Sequence, residues 1–179
     1  MIAPTDPALL SSDAVEMEGN FLSVFKTGEG FVGYVFHTTD IAMEVERLRA
    51  HDLPIDLPKS GGRQRADGQQ LEWQAAMFPG TTTPFCIADV TPRELRVPAD
   101  TDKTTHANGI SGAAGIVAAV PDINAGATKY QKMLQLEPLS GASIVDAKTA
   151  EFVINDFTVI LAAPDETDSP IVRHFEQRG

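Results

Sequence analysis

The sequence is poor in several things, and each shortage excludes something. There is one cysteine, Cys86, among 179 residues, so no disulfide can form within the chain. That suits a reducing, cytoplasmic setting. No apolar run approaches the roughly 18 residues that a membrane-spanning helix needs, so no membrane partner is expected. The opening Met1-Ile2-Ala3-Pro4-Thr5-Asp6 lacks the basic-then-apolar order of a signal peptide. Basic residues are scarce as well. Fourteen Lys and Arg stand against 25 Asp and Glu, a net charge of −11, which repels a polyanion and argues against nucleic acid. There is no GxSxG, and Gly61-Gly62 is followed by neither a Lys-Ser/Thr pair nor a helix start, so it is no phosphate loop.

What is present is ordinary in amount and informative in order. Hydrophobic residues make up 42% of the chain and charged ones 22%, as in a globular protein able to bury a core. Residues 1–30 read as a separate extension. Within it Val15, Phe21, Leu22 and Phe25 mark a helix over about 13–26. A first unit spans 31–92. Phe31 to His37 is aromatic and β-branched, hence a strand. Asp40 is a helix cap, and Ile41, Val45 and Leu48 recur at helical spacing. A short strand is expected near Ile55, a hairpin or wide loop over 61–68, and strands over Leu71 to Phe78 and Pro84 to Val90. A linker, 93–109, follows. The second unit spans 110–164. Its strand is Ala113 to Val120 and its helix opens at Asp122. Three short strands follow, Ala142 to Val145, Thr149 to Ile154 and Phe157 to Ala162, the last two joined by an Asn155-Asp156 turn. A polar tail, 165–179, is expected to be loose apart from Ile171 to Phe175.

The two units share a register. Asp40 and Asp122 differ by 82 positions, and the same offset carries Gly33 to Gly115, Ile41 to Ile123, Val45 to Ala127 and Leu48 to Tyr130. Repetition of this kind constrains architecture more than local propensity does. The expected fold class is α+β: two tandem βαβββ units forming a curved mixed sheet around a pocket, with helices on the outside.

That order, with Gly30-Phe31-Val32-Gly33-Tyr34, Asp40-Ile41, Gly62-Arg63-Gln64-Arg65-Ala66-Asp67-Gly68 and Leu71-Glu72-Trp73, resembles the vicinal oxygen chelate superfamily. The superfamily includes glyoxalase I, extradiol dioxygenases and bleomycin-resistance proteins, and the likeness is to its glyoxalase-like domain subgroup. The resemblance implies a small oxygenated metabolite, bound or acted on in a central pocket by a lyase, isomerase or dioxygenase. The alternative it offers is a non-catalytic protein that sequesters a ligand, commonly as a homodimer. It also implies a further upstream unit and a divalent metal, held by a His early in each unit's first strand and a carboxylate in its last. Gly33 and Gly115 fall at the early strand positions, and Phe157 to Ala162 offers no acid. No metal ligand is therefore assigned. A metal is expected only with ligands from a missing unit or a partner chain.

The remaining candidates come from alternation. His37 shares a face with Gly33 and Val35 and is a candidate acid or base, or else a strand-end His bonded to a neighbouring carbonyl. Leu71, Trp73, Ala75 and Met77 read as the face packed on the helix. That leaves Glu72, a second catalytic candidate, and Gln74, a ligand contact, on the inner face or in solvent. Arg63 and Arg65 suit a substrate carboxylate or phosphate, or else a solvated hairpin tip. Asp89 is the acid of the first unit's last strand and a further ligand contact. Cys86, in an apolar run, reads as a structural thiol, and His106 as a turn cap or a residue over the pocket mouth.

Overall fold

The computed structural model describes residues 31, 33–79, 84–97, 105–140 and 144–178. The expected N-terminal helix over 13–26 lies outside them. In chain order the elements of the first unit are β1 (Val35–His37), α1 (Ile41–Ala50), β2 (Lys59–Gln64), β3 (Gln70–Met77) and β4 (Phe85–Asp89). A single helical turn, α2 (Arg93–Arg96), follows. The second unit is β5 (Gly115–Ala119), α3 (Ile123–Leu134), β6 (Ala147–Ile154) and β7 (Phe157–Pro164), with α4 (Pro170–Arg178) after it.

Each unit is built the same way. In the first, the strands lie in the order β1-β4-β3-β2, with β1 parallel to β4 and the others antiparallel. In the second the order is β5-β7-β6, with β5 parallel to β7. A parallel pair needs a crossover, and the helix after each first strand supplies it. Both helices begin alike. Asp40 accepts the Met43 N–H at 3.0 Å, and Asp122 accepts the Ala125 N–H at 2.7 Å. Both end where a residue takes a left-handed conformation, Asp52 at φ 59° and Gln135 at φ 55°. The 82-residue offset is thus a repeat of cap, stripe and strand pairing.

The α1 stripe, Ile41, Val45 and Leu48, packs with Ala76, Phe78, Cys86 and Ala88 of its sheet. Tyr130 and Met133 of α3 join the same core, as do Ala150, Phe152, Val159 and Leu161. The units therefore share one hydrophobic cluster within a single chain. Polar contacts reinforce it. The Tyr34 and Tyr130 hydroxyls are hydrogen-bonded, Arg47 Nη2 donates to the Met133 carbonyl at 2.6 Å, and Lys129 Nζ lies 5.1 Å from the centre of the Phe78 ring. Burial beside that ring pushes the Lys129 pKa down.

Several local expectations change. Phe31 is fully exposed and precedes β1, which starts only at Val35. Ile55 is buried but extended outside any sheet. The glycines expected in a loop belong to β2, because Gly61 lies directly under the Trp73 indole: a Cβ there would come within 2.6 Å of Nε1. The hairpin turn is confined to 65–69, closed by Arg65 N–H to the Gln69 carbonyl at 2.8 Å. In the second unit Val145 falls in a turn. The contact to β6 comes instead from Leu139, which exchanges backbone bonds of 2.8 and 3.0 Å with Glu151. Ala142 lies outside the described residues. The polar tail is helical, and Ser169 before it is buried and donates to the Asp146 carbonyl at 3.0 Å.

Gly115 tests the parallel pairing in the second unit, since a Cβ there would stand 2.4 Å from the Thr158 carbonyl oxygen. Gly115→Ala is expected to cost about 1–3 kcal/mol in urea unfolding. Gly112→Ala, with nothing within 4 Å, is the near-neutral control. Equal midpoints for the two variants would contradict the β5–β7 register.

Candidate functional site

Directly paired residues share a face of a sheet, so the registers decide which side chains can meet. Ala76 pairs with Cys86 and Gln74 with Ala88, and these alanines and the cysteine lie in the core under α1. The face of β3 packed on the helix is thus the Gln74, Ala76, Phe78 set, the reverse of the assignment from side-chain bulk. The physical reason is that small residues at 76 and 88 let α1 approach the sheet, while Trp73 needs the space above Gly61 on the other side. Trp73 pairs with Asp89, Ala75 with Ile87 and Met77 with Phe85. His37 pairs with Ile87 across the parallel ladder. Trp73, Asp89 and His37 therefore project from the same face, away from α1.

There they form the polar cluster of the first unit. His37 Nε2 lies 3.2 Å from Asp89 Oδ2, with the Asp89 side chain 7% exposed and the imidazole 35%. Arg96 grips the carboxylate in a two-pronged contact, Nε to Oδ1 at 2.5 Å and Nη2 to Oδ2 at 2.8 Å. Arg93 Nη1 adds a longer contact to Oδ2 at 3.4 Å. The turn of α2 after Pro92 carries both arginines back over the end of β4. The Arg96 hydrogen bonds hold the Asp89 pKa below the usual carboxylate range. Burial opposes them, and the charges of Arg96, His37 and Arg93 add to the lowering. The same bond raises Arg96. The result is a fixed anion that orients one imidazole nitrogen and leaves Nδ1 for other partners.

His37 also lines a cleft of about 520 Å³ between the units. Phe36, Met133, Leu134, Leu136 and Ile154 give it apolar walls, and Thr38, Arg47 and Asn155 give it polar ones. Asn155 sits in the β6–β7 turn at φ 56°. Cys86 is at the wall too. Burial pushes its thiol up to about 11, so it stays protonated and structural, as its apolar setting suggests.

Two candidates from the sequence, His37 and Asp89, are brought together; the others are not. Glu72 is exposed on the opposite face, its backbone N–H bonded to Thr91 Oγ1 at 3.1 Å, and Gln74 shares that face. Arg65 is occupied by the Leu95 carbonyl at 2.9 Å and Asp67 at 3.1 Å. Arg63 pairs with Leu71 and is exposed. His106 closes a turn through its carbonyl, which accepts the Gly109 N–H at 3.0 Å. Arg93, Arg96 and Arg47 were not legible as site residues. The usable signal was an acid at a strand end followed by Pro92 and by arginines four and seven positions on.

The position expected to replace the first metal-binding His, Gly33, lies before β1, whereas His37 stands on the strand beside Asp89. The donor set still fits a divalent metal poorly. No group of three His, Cys, Asp or Glu comes together among the described residues, where about three protein ligands are needed. Both Asp89 oxygens already accept from guanidinium groups. Gly115 is required by the Thr158 backbone, and no acid faces it from β7.

A unit whose first and last strands pair in parallel across a crossover helix, βαβββ in the first half and βαββ among the described residues of the second, is the arrangement of the vicinal oxygen chelate class of fold. Within it, a glyoxalase-like domain model matches residues 2–134, and the chain belongs to that family. A hypothetical protein from Staphylococcus aureus is similar in structure, with a TM-score of 0.62 and 12% identity over 86% of this chain. This chain spans 65% of the length of that protein. No curated protein matches. Among the described residues no helix is long and apolar enough to cross a membrane.

The depressed Asp89 pKa has a pH signature. A carboxylate lowered on folding contributes stability that is present above its unfolded value, near 3.9, and lost as pH falls through the folded one. Urea midpoints of the wild type and Asp89→Asn should therefore converge as pH drops from 5 to 2.5. A gap unchanged over that range would show that Asp89 is not held by Arg96.

Proposed function

We propose that this chain binds a small oxygenated metabolite in the cleft between its two units and that His37 serves there as the acid–base group. The observation that carries the reading is the His37–Asp89–Arg96 arrangement, of which His37, at the end of β1, also lines the cleft. A neutral imidazole exchanges protons near neutrality, and a fixed carboxylate on one nitrogen sets the other for the substrate. Asp89 and Arg96 are positioning residues. The reaction class that suits this is proton transfer next to a carbonyl, as in a lyase or isomerase. No step depends on a metal from these two units. Arg63, exposed on the Trp73 face, is free to meet a substrate anion outside the cleft.

The apolar cleft walls also support a second reading, a ligand-sequestering protein without turnover, of the bleomycin-resistance type. Homodimer formation belongs to either reading. The outer edges of β1 and β5 are unpaired within the described sheets, and Val35 and Val117 on them are exposed. A cytoplasmic setting agrees with the single buried thiol.

Deuterium exchange next to the carbonyl of small hydroxy-ketones and keto-acids, followed by NMR in D2O after metal analysis of the protein, tests the first reading. Metal-free wild type should catalyse exchange. His37→Gln should lose about 10²–10⁴-fold, and Asp89→Asn part of that. Ligand protection without exchange, equal in wild type and His37→Gln, would favour sequestration. A stoichiometric metal that disappears in Asp89→Asn would overturn the metal-independent assignment.

A further inference from the structure

The sheet face of the first unit that points away from α1 is a cationic surface on an acidic chain. The β2–β3 register sets Lys59, Gly61 and Arg63 beside Ala75, Trp73 and Leu71. Arg65 continues the row at the hairpin, and α2 folds Arg93 and Arg96 over from the β4 side. Five basic residues gather here against three acids, Asp67, Asp89 and Glu94. In the whole chain the acids outnumber the bases, 25 to 14.

Some of these cations are unused. Asp89 Oδ2 has two lone pairs, and Arg96 Nη2 at 2.8 Å and His37 Nε2 at 3.2 Å fill them. Arg93 Nη1 is a third donor to that oxygen, at 3.4 Å, and its side chain is 46% exposed. Contacts so long and so exposed are weak, and Arg93 is free to turn to an anion from outside. Across β3, Arg63 and Lys59 are exposed and have no ion-pair partner among the described residues. Trp73 stands between the two sides. Its five-membered ring lies over Gly61, where a Cβ would come within 2.6 Å of Nε1. The Nε1–H has no partner among the described residues and reaches the surface. Strands β2 and β4 flank β3 and lie about 10 Å apart, a gap that two arginine side chains close over one small anion. Ala75, Ile87, Met77 and Phe85 continue the face as an apolar floor.

We propose that this open face binds a small organic carboxylate, held by Arg93 and Arg63 beside the indole of Trp73, with its hydrocarbon part on the apolar floor. Binding here rests on charge and register and does not depend on proton transfer by His37. Taken with the acid–base reading above, it names the substrate class as keto-acids rather than neutral ketones, because His37 stands on this face beside Asp89.

Trp73 is the only tryptophan, so its fluorescence reports on the site. The probes are 4-methyl-2-oxopentanoate and 4-methyl-2-pentanone, which carry a carboxylate and a methyl group, respectively, on the same ketone. The keto-acid should change Trp73 emission saturably and bind at least about tenfold more tightly than the ketone. Arg93→Gln and Arg63→Gln should each weaken it about tenfold, the size of a hydrogen bond to a charged group. Arg173→Gln makes the same change of charge on α4 and should bind like wild type. His37→Gln should lose exchange and still bind the keto-acid, which separates failure of the acid–base reading from failure of this one. Keto-acid binding no tighter than ketone binding, or absent, would overturn the proposal. So would an affinity unchanged in either Arg93→Gln or Arg63→Gln, or lowered as much in Arg173→Gln.

Discussion

The parallel pairing of first and last strands is the constraint on which the rest of the molecule depends. It forces a crossover helix between β1 and β4, and again between β5 and β7. The two crossover helices then carry the apolar stripes that meet in one core, so that Tyr34 reaches Tyr130 and Arg47 reaches the Met133 carbonyl. The same pairing sets His37 opposite Ile87, two residues from Asp89 and on its face. Core and candidate site are two consequences of one ladder.

The two units have diverged in what that ladder displays. In the first, the open face carries an imidazole, a carboxylate and an indole, with two arginines folded over from α2. In the second, the corresponding strand begins with a glycine that the Thr158 backbone requires, and Pro170, Ile171 and His174 of α4 line a pocket with Val117, Ala119 and Ala162. The metal-binding symmetry associated with the superfamily has no counterpart among the described residues. The polar cluster of the first unit lies on the sheet face away from α1, and of its members only His37 also lines the cleft walled by α1, the apolar end of α3 and the β6–β7 turn.

Much of the architecture was legible in the sequence because its signals are local and repeated. Asp40 and Asp122 cap their helices as their types suggest, and Ile41, Val45 and Leu48 form the buried stripe. The 82-residue offset added a check that no single element provides. Face assignment in β3 was not legible. Trp73 and Met77 outweigh Gln74 and Ala76 in apolar bulk, yet α1 needs small residues beneath it, and the glycine that accommodates Trp73 lies on another strand. The candidate site was half legible. Alternation singled out His37 and the strand-end position singled out Asp89. Their contact depends on register, and the arginines that hold Asp89 arrive through a turn read as linker. Arg47 was hidden for a related reason: its partner Met133 is 86 positions away.

Asp89 holds His37 by one ring nitrogen, Nε2, and leaves the other available. The ¹⁵N spectrum of the neutral His37 imidazole tests this. A proton on Nε2, facing Asp89, and a bare Nδ1 are expected, with the distribution between tautomers changing in Asp89→Asn. A proton on Nδ1 in the wild type, or a spectrum indifferent to Asp89→Asn, would contradict it.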